Sequence, residues 1–133
     1  MNKSRWLAVL AAALISLSAG VVIAETTRKA DDPLTVAPDM YKLLFENDRV
    51  RVMEVTFQPG QKIAKHSHPD HYVYVAEGGL LKISKPDGSN VDANLTPGQI
   101  VWIPAETHWA TNGGKTKIRL IVNELKEPKP ESK

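Results

Sequence analysis

The sequence has 133 residues and a formal net charge of +2, from 17 basic and 15 acidic side chains. This length allows one domain, and so small a charge excludes an electrostatic preference for nucleic acid or an acidic surface. The absence of cysteine excludes disulfides, thiol nucleophiles and thiolate ligands, so any metal site must use histidine, carboxylate or water.

The first 24 residues have the pattern of a secretory signal. Lys3 and Arg5 precede an apolar run over residues 6–17, and a cleavage site is predicted after Ala24. The alternative is a retained anchor, although the apolar stretch is only marginally long enough for a hydrocarbon core of about 30 Å. The sequence therefore predicts a signal peptide over 1–24 and a periplasmic or secreted mature protein without a membrane segment.

Two further segments lack apolar periodicity. Residues 25–40 are polar and contain proline, which predicts a flexible leader, with an arm docked on the domain as the alternative. Residues 126–133 are charged and contain proline, which predicts a disordered tail.

Between these segments the pattern is that of β-structure. Short alternating apolar runs are separated by turn residues, and no helical period is sustained. The pattern predicts an all-β barrel or jelly roll over residues 41–125, an architecture that protects the edges of short strands. The nine predicted strands are 41–45, 50–57, 62–68, 71–76, 80–84, 90–95, 100–103, 108–111 and 117–125.

The four histidines of the chain indicate a metal site. His66 and His68 are two residues apart, so on a strand they project from the same face. The turn that follows lets His71 face back toward them, and folding brings His108 from a distant strand. We expect these imidazoles to bind one metal ion and to couple its binding to folding. The alternatives are a metal-free barrel and, for His71, a hydrogen-bonding position at the rim of the site.

Other side chains have less specific expected roles. Asp70 is expected to stabilise a turn, or else to accept a histidine N–H. Glu106 is a candidate to approach the metal, and Arg119 a candidate to face the barrel interior and bind a substrate carboxylate. Strand aromatic residues are expected to pack in the core or across strands rather than line a pocket, with Trp109 covering the barrel mouth; these are Tyr72, Tyr74, Trp102 and Trp109.

The region from Gly60 to Gly78 resembles the first sequence motif of small, single-domain bacterial cupins. That motif is G-x5-H-x-H-x3,4-E-x6-G, and Gly60, His66, His68 and Gly78 occupy its positions. His71 stands seven residues before Gly78, where the family has a glutamate ligand, and its spacing from His68 is one residue short.

A second stretch resembles the other cupin motif, G-x5-P-x-G-x2-H-x3-N. Gly98, Pro104, His108 and Asn112 supply its glycine, proline, histidine and asparagine. Glu106 replaces the internal glycine, and the histidine comes one position early.

The resemblance implies a double-stranded β-helix with a metal inside it. It implies His66, His68 and His108 as ligands, with His71 as a fourth in the place of the family's glutamate. Loss of that carboxylate predicts Fe²⁺, Ni²⁺, Cu²⁺ or Zn²⁺ in preference to Mn²⁺.

Two functional classes remain open from the sequence. One is a metal-dependent enzyme, oxygenase-like, acting on a small organic molecule. The other is a non-catalytic periplasmic cupin that binds a metal or small ligand. A closed four-histidine coordination sphere favours the second class, whereas an open position favours the first. The resemblance also implies a possible partner in a second copy of the chain, as a homodimer.

Overall fold

Two antiparallel sheets enclose the interior of the protein. The structure, a computed structural model, describes residues 29–127. The strand order is β1-β2-β9-β4-β7 in one sheet and β3-β8-β5-β6 in the other. The elements are α1 (Pro33–Val36), β1 (Tyr41–Glu46), β2 (Val50–Phe57), β3 (Lys62–His68), β4 (His71–Glu77), β5 (Gly79–Ser84), β6 (Asn90–Leu95), β7 (Ile100–Ile103), β8 (Glu106–Asn112) and β9 (Ile118–Leu125).

The prediction of an all-β barrel with nine strands is confirmed for the described residues. The largest difference in a strand boundary is at β8, which begins two residues before the predicted start. It does so because Glu106 and Thr107 pair with His68 and Ser67 of β3. That pairing extends the strand up to the candidate metal site.

Alternating apolar side chains of the two sheets form the core. β2 and β9 pair along their whole length, from Val50 opposite Leu125 to Phe57 opposite Ile118. The inward side chains of both strands are almost fully buried, and burial of each stabilises the fold by about 1.5–3 kcal/mol. They are Met53, Val55 and Phe57 on β2 and Ile118, Leu120 and Val122 on β9.

The segment before β1 packs on the barrel. Asp32 caps the helical turn α1, since its Oδ1 accepts the Leu34 N–H at 2.9 Å. Leu34, Val36 and Met40 pack against the core. The described part of the predicted flexible leader is therefore an arm docked on the barrel, which was the alternative prediction for this segment. Its apolar side chains pack on the barrel, although their irregular spacing in the sequence predicts no helix or strand.

The ends of the predicted domain organisation are described only in part. Lys126, the first residue of the predicted tail, is held by a hydrogen bond from its N–H to the Arg49 carbonyl and by an ion pair with Glu46. The predicted signal peptide and residues 128–133 lie outside the described residues. Within residues 29–127, no helix has the length and apolar character needed to span a bilayer.

Candidate metal centre

An irregularity in β3 directs two histidines into the barrel. Ile63 faces inward opposite Ala110, so strict alternation from Ile63 would direct position 66 outward. The pairing with β8 shifts register between Ile63 and His66, and this shift restores His66 to the inner face opposite His108. His68, two residues on, then also faces inward, and both side chains are buried.

Three histidine side chains converge at this point. The candidate ligand nitrogens of His66, His68 and His108 all lie within 4.8 Å of one another. Two nitrogens bound to one zinc ion, at about 2.0–2.1 Å each, are separated by no more than about 4 Å. Only a small adjustment of the rings is therefore needed to place all three nitrogens on one ion.

Two of the rings are oriented by their own strands. His66 Nδ1 lies 2.8 Å from the Ala64 carbonyl oxygen, and His71 Nδ1 lies 2.8 Å from that of Pro69. A carbonyl oxygen only accepts, so Nδ1 carries the proton in both neutral rings. Nε2 therefore keeps its lone pair, as a metal ligand requires.

The other two rings donate to carboxylates. His68 Nδ1 lies 2.6 Å from Glu124 Oε1, and His108 Nδ1 lies 2.7 Å from Glu106 Oε1. A carboxylate that accepts the Nδ1–H fixes the same tautomer and makes Nε2 a more basic ligand. In all four histidines Nε2 is therefore the nitrogen that keeps its lone pair.

The donor set fits a divalent transition metal. Within the described part of the chain, His66 Nε2 is buried and has no hydrogen-bond partner. A buried polar atom without a partner costs about 1–3 kcal/mol, and a metal ion at the centre of the three nitrogens would remove that cost. Three neutral imidazoles are suitable ligands for zinc, copper, iron or nickel.

His71 lies beside this group and outside it. Its side chain is buried, and its ring stacks at a tilt on His68 with 4.6 Å between ring centroids. It does not belong to the set of nitrogens that lie within 4.8 Å of one another. Ligation by His71 therefore stays a prediction.

Burial keeps the histidines neutral. Desolvation lowers the pKa of His66 to about 4 and that of His68 to about 2. Burial also lowers the pKa of His71 and His108, against the opposing effects of the hydrogen bonds to Pro69 and Glu106. At pH 7 all four lone pairs are available without loss of a proton.

A small apolar cavity adjoins the histidines. Its volume is about 90 Å³, which equals the share of about three water molecules at about 30 Å³ each. Besides the four histidines and Tyr41, its walls are aliphatic or aromatic, and no charged side chain of the described chain lines it. The apolar walls include Val55, Phe57, Leu81, Val101 and Leu120.

Comparison with known proteins agrees with this geometry. The family model described as "Cupin domain" matches residues 53–123, which is more than half of the chain. The chain belongs to the cupin family. The crystal structure of a cupin domain from Bordetella pertussis Tohama I is similar to this cupin, with 29% identity and a TM-score of 0.62 over 66% of this chain and 93% of that one.

Two other similar proteins are named for an activity. The polyketide cyclase RemF from Streptomyces resistomycificus is 27% identical, with a TM-score of 0.51 over 68% of this cupin and 66% of that chain. An (R)-mandelonitrile lyase from Granulicella tundricola is 33% identical over 79 residues, 59% of this chain. The match spans 53% of the lyase, so this cupin corresponds to about half the length of that relative.

Two candidate residues take structural roles in this cupin. Asp70 Oδ1 accepts the Ala105 N–H at 2.7 Å, so Asp70 joins the turn between β3 and β4 to the segment between β7 and β8, and among the described residues it accepts no histidine proton. Arg119 lies on the outer face of its sheet, where Nη1 contacts Glu54 at 3.0 Å. The expectation that Arg119 faces the interior is wrong, because it alternates with the inward residues Ile118 and Leu120.

Glu106 approaches the site from behind a histidine. Its two carboxylate oxygens contact His108 Nδ1 at 2.7 Å and Lys85 Nζ at 2.6 Å. The carboxylate thus lies on the side of the imidazole that faces away from the other histidines. Its contribution is to orient His108, and the expectation that it approaches the metal is not met.

The four aromatic residues Tyr72, Tyr74, Trp102 and Trp109 do not line the cavity. Trp109 lies between the buried residues His108 and Ala110, so its own side chain points away from the interior. Tyr72 pairs with Trp102, and both are exposed on the outer face of the five-stranded sheet. They form a cross-strand pair, and covering of the barrel mouth by Trp109 is not observed.

Sequence reasoning missed two residues that support the site. Glu124 continues the inward alternation of β9 beyond Val122, and Arg51 begins the inward alternation of β2 before Met53. The two are directly paired across the strands, and both are buried. In each strand the charged residue falls at a position where the alternation predicts a buried side chain, and a buried charge needs a partner of opposite charge. This pattern could have identified both residues from the sequence.

Proposed function

We propose that this cupin binds one divalent transition metal through Nε2 of His66, His68 and His108 and is a metal-dependent enzyme for a small, neutral organic molecule. The observation that carries the proposal is the convergence of three buried, neutral, tautomerically fixed imidazoles beside an apolar cavity. When bound, the metal would supply Lewis acidity toward an oxygen atom of the substrate.

The apolar cavity supports a neutral substrate. Away from the metal, a carboxylate or phosphate in this cavity would lose its hydration and meet no basic side chain of residues 29–127; Arg119 lies on the outer face. An aldehyde, an alcohol or a cyanohydrin loses much less on desolvation. The cavity of about 90 Å³ equals the share of about three water molecules, at about 30 Å³ each, so it can enclose only a small molecule or one part of a larger one.

The reaction that we propose first is cleavage of a cyanohydrin, the substrate class in the name of the mandelonitrile lyase relative. In this reaction the hydroxyl loses its proton, the carbon–carbon bond breaks to leave an aldehyde, and cyanide departs with the electron pair and takes up a proton. We assign acceptance of the hydroxyl proton to His71. Its ring borders the cavity and its Nδ1 is engaged by Pro69, which leaves Nε2 to take the proton and return it to cyanide.

An oxygenase-like reaction is the second candidate. Ligation by three histidine nitrogens would leave coordination positions open, one of which a fourth histidine would otherwise occupy. A metal needs open positions in order to bind both dioxygen and a substrate. A non-catalytic binding protein is expected instead if His71 joins the other three as a ligand.

One experiment separates these functions. The protein, reconstituted separately with Fe²⁺, Ni²⁺, Cu²⁺ and Zn²⁺, is assayed for benzaldehyde release from mandelonitrile and for oxygen consumption with small organic molecules. Release of benzaldehyde that requires metal, and that His66→Ala abolishes, is the expected result. Metal-dependent oxygen consumption without cleavage replaces the lyase with the oxygenase.

The control for this assay is Glu54→Gln, which changes a carboxylate on the outer face. It should retain both the metal and the activity. A protein that binds metal stoichiometrically and shows neither activity across neutral substrates contradicts an enzymatic function and supports the binding protein.

A further inference from the structure

A continuous chain of hydrogen bonds joins His68 to the segment that precedes the barrel. His68 Nδ1 donates to Glu124 Oε1 at 2.6 Å, and Arg51 contacts Glu124 Oε2 through Nε at 2.7 Å and Nη2 at 2.6 Å. Arg51 Nη1 then contacts Asp32 Oδ2 at 2.5 Å. Asp32 Oδ1 in turn accepts the Leu34 N–H of α1.

Both carboxylates in this chain use both of their oxygens. Glu124 divides its oxygens between an imidazole and a guanidinium, and Asp32 divides its oxygens between a guanidinium and a helix cap. The guanidinium is planar and presents its donors in a fixed fork, so the orientation of Arg51 constrains both partners. A displacement of Asp32 would therefore alter the position of Glu124.

This dependence distinguishes His68 from the other histidines. His66 and His71 are oriented by backbone carbonyls two residues earlier in the chain, and His108 by a carboxylate two residues earlier. The partner of His68, Glu124, is 56 residues away in sequence. Glu124 is held by Arg51 of β2, and Arg51 in turn contacts Asp32, which lies outside the barrel strands. A second contact ties the same segment to β3, since the Ser67 N–H donates to the Asp31 carbonyl at 2.9 Å.

A polar cleft borders this chain on the outside. The cleft has a volume of about 470 Å³, and Asp32, Arg51, Glu124 and His68 contribute to its walls. His68 also borders the inner cavity, so it separates the two spaces. Without the anchoring of Arg51 by Asp32, water in the cleft would compete for the guanidinium and weaken its hold on Glu124.

We propose that the segment 29–37 contributes to metal binding, because Asp32, Arg51 and Glu124 are positioning residues that orient His68 toward the metal. This inference rests on the proposed function in requiring that His68 be a ligand. Loss of partners that orient a metal-bound histidine typically lowers metal affinity by about 10–100-fold.

The test uses conservative variants of the full chain and Zn²⁺ as the probe. Asp32→Asn keeps an oxygen for the Leu34 N–H and removes the charge that holds Arg51. Glu124→Gln keeps an oxygen for the His68 Nδ1–H and removes the charge that Arg51 contacts. Glu54→Gln is the matched control, because it breaks another Arg–Glu contact between the same two strands on the outer face.

We expect Glu124→Gln to weaken Zn²⁺ binding by about 10–100-fold and Asp32→Asn by about 10-fold, measured by competition with a chelator at pH 7.5. Glu54→Gln should bind as the wild type does. The visible spectrum of the Co²⁺-loaded protein should change shape in the first two variants only, which a general loss of stability would not produce. Asp32→Asn with wild-type affinity and an unchanged spectrum overturns the inference.

Two further measurements keep the outcomes distinct. Thermal unfolding identifies a Glu124→Gln protein that fails to fold, in which case Asp32→Asn, at the outer end of the chain, decides. A wild type that binds none of Zn²⁺, Fe²⁺, Ni²⁺ and Cu²⁺ contradicts the proposed function, and nitrogen NMR of the histidine rings in the metal-free protein then decides the inference. A His68 signal changed by Asp32→Asn supports the positioning chain, and identical spectra overturn it.

Discussion

Two arginine–glutamate pairs connect β2 and β9, and they lie on opposite faces of the same sheet. On the inner face, Arg51 contacts Glu124 at 2.6 Å, with side chains 10% and 3% exposed. On the outer face, Arg119 contacts Glu54 at 3.0 Å, with side chains 40% and 28% exposed. The same chemistry therefore occurs in a buried and in a partly exposed environment within one pair of strands.

The comparison shows what the buried charges do in this cupin. An exposed ion pair contributes about 0–1 kcal/mol, because water screens the charges and holding the side chains costs entropy. A buried pair gains little overall, although removal of one partner leaves an uncompensated charge. We therefore assign the inner pair to the orientation of His68 and the outer pair to the solvated surface.

The largest expected effect is from breaking the inner pair. Glu124→Ala leaves Arg51 buried with only Asp32 as a partner, and should lower the free energy of unfolding by about 3–5 kcal/mol. Urea unfolding of the metal-free protein, followed by tryptophan fluorescence, measures this loss. A loss below about 1 kcal/mol would mean that the inner face is as well hydrated as the outer one.

A change in pH should act on the inner face alone. The pKa of His66 is lowered to about 4 and that of His68 to about 2, whereas an unfolded histidine titrates near about 6.5. Below pH 6.5 the unfolded chain therefore binds more protons than the folded one, and stability falls as the pH drops. Each such histidine costs about 1 kcal/mol per pH unit, a loss that continues until the pH reaches its folded pKa.

The measurement is the free energy of unfolding of the metal-free protein between pH 7.5 and 5. Replacing His66 with Gln removes one titrating group and should reduce the slope. A stability that does not change over this range contradicts neutral, buried histidines. In the metal-loaded protein the same proton competition should release the metal, at a pH lower than 6.5 because binding opposes protonation.

His71→Ala distinguishes a base from a fourth ligand. If His71 accepts the substrate proton, the variant keeps about one metal per chain and loses about 10²–10⁴-fold in turnover. Metal analysis and turnover measured on the same sample give the answer. Complete loss of metal would instead identify His71 as a ligand and remove the basis for its assignment as the base.

The smallest effect should come from the outer pair. Glu54→Gln is expected to change the free energy of unfolding by no more than about 1 kcal/mol and to leave metal affinity unchanged. Unfolding in urea at low and high salt measures both the effect and its screening. An effect as large as that of Glu124→Ala would contradict the contrast between the two faces.

Much of this architecture could be predicted from the sequence, because β2, β4 and β9 alternate regularly and the turns contain proline, glycine or aspartate. β2, β3, β6 and β7 have the predicted boundaries. The convergence of His66, His68 and His108 was also predictable, from the two-residue spacing and from the resemblance to cupin motifs.

The other features of the fold and the site depend on contacts between residues that are far apart in the sequence, and no local sequence pattern predicts such contacts. The register shift between Ile63 and His66 is set by the pairing of β3 with β8. The roles of Arg51 and Glu124 depend on the pairing of β2 with β9. Asp32 lies in a polar segment whose sequence indicates no fixed structure, and it acquires its role only when that segment packs on the barrel.

Metal binding by the three histidines is tested most directly by the metal content of the purified protein after dialysis, measured by elemental analysis for the wild type and for His66→Ala. We expect about one divalent transition-metal ion per chain in the wild type and none above background in the variant. A wild type without metal after exposure to Fe²⁺, Ni²⁺, Cu²⁺ and Zn²⁺, or a variant with undiminished content, would contradict metal binding at this site.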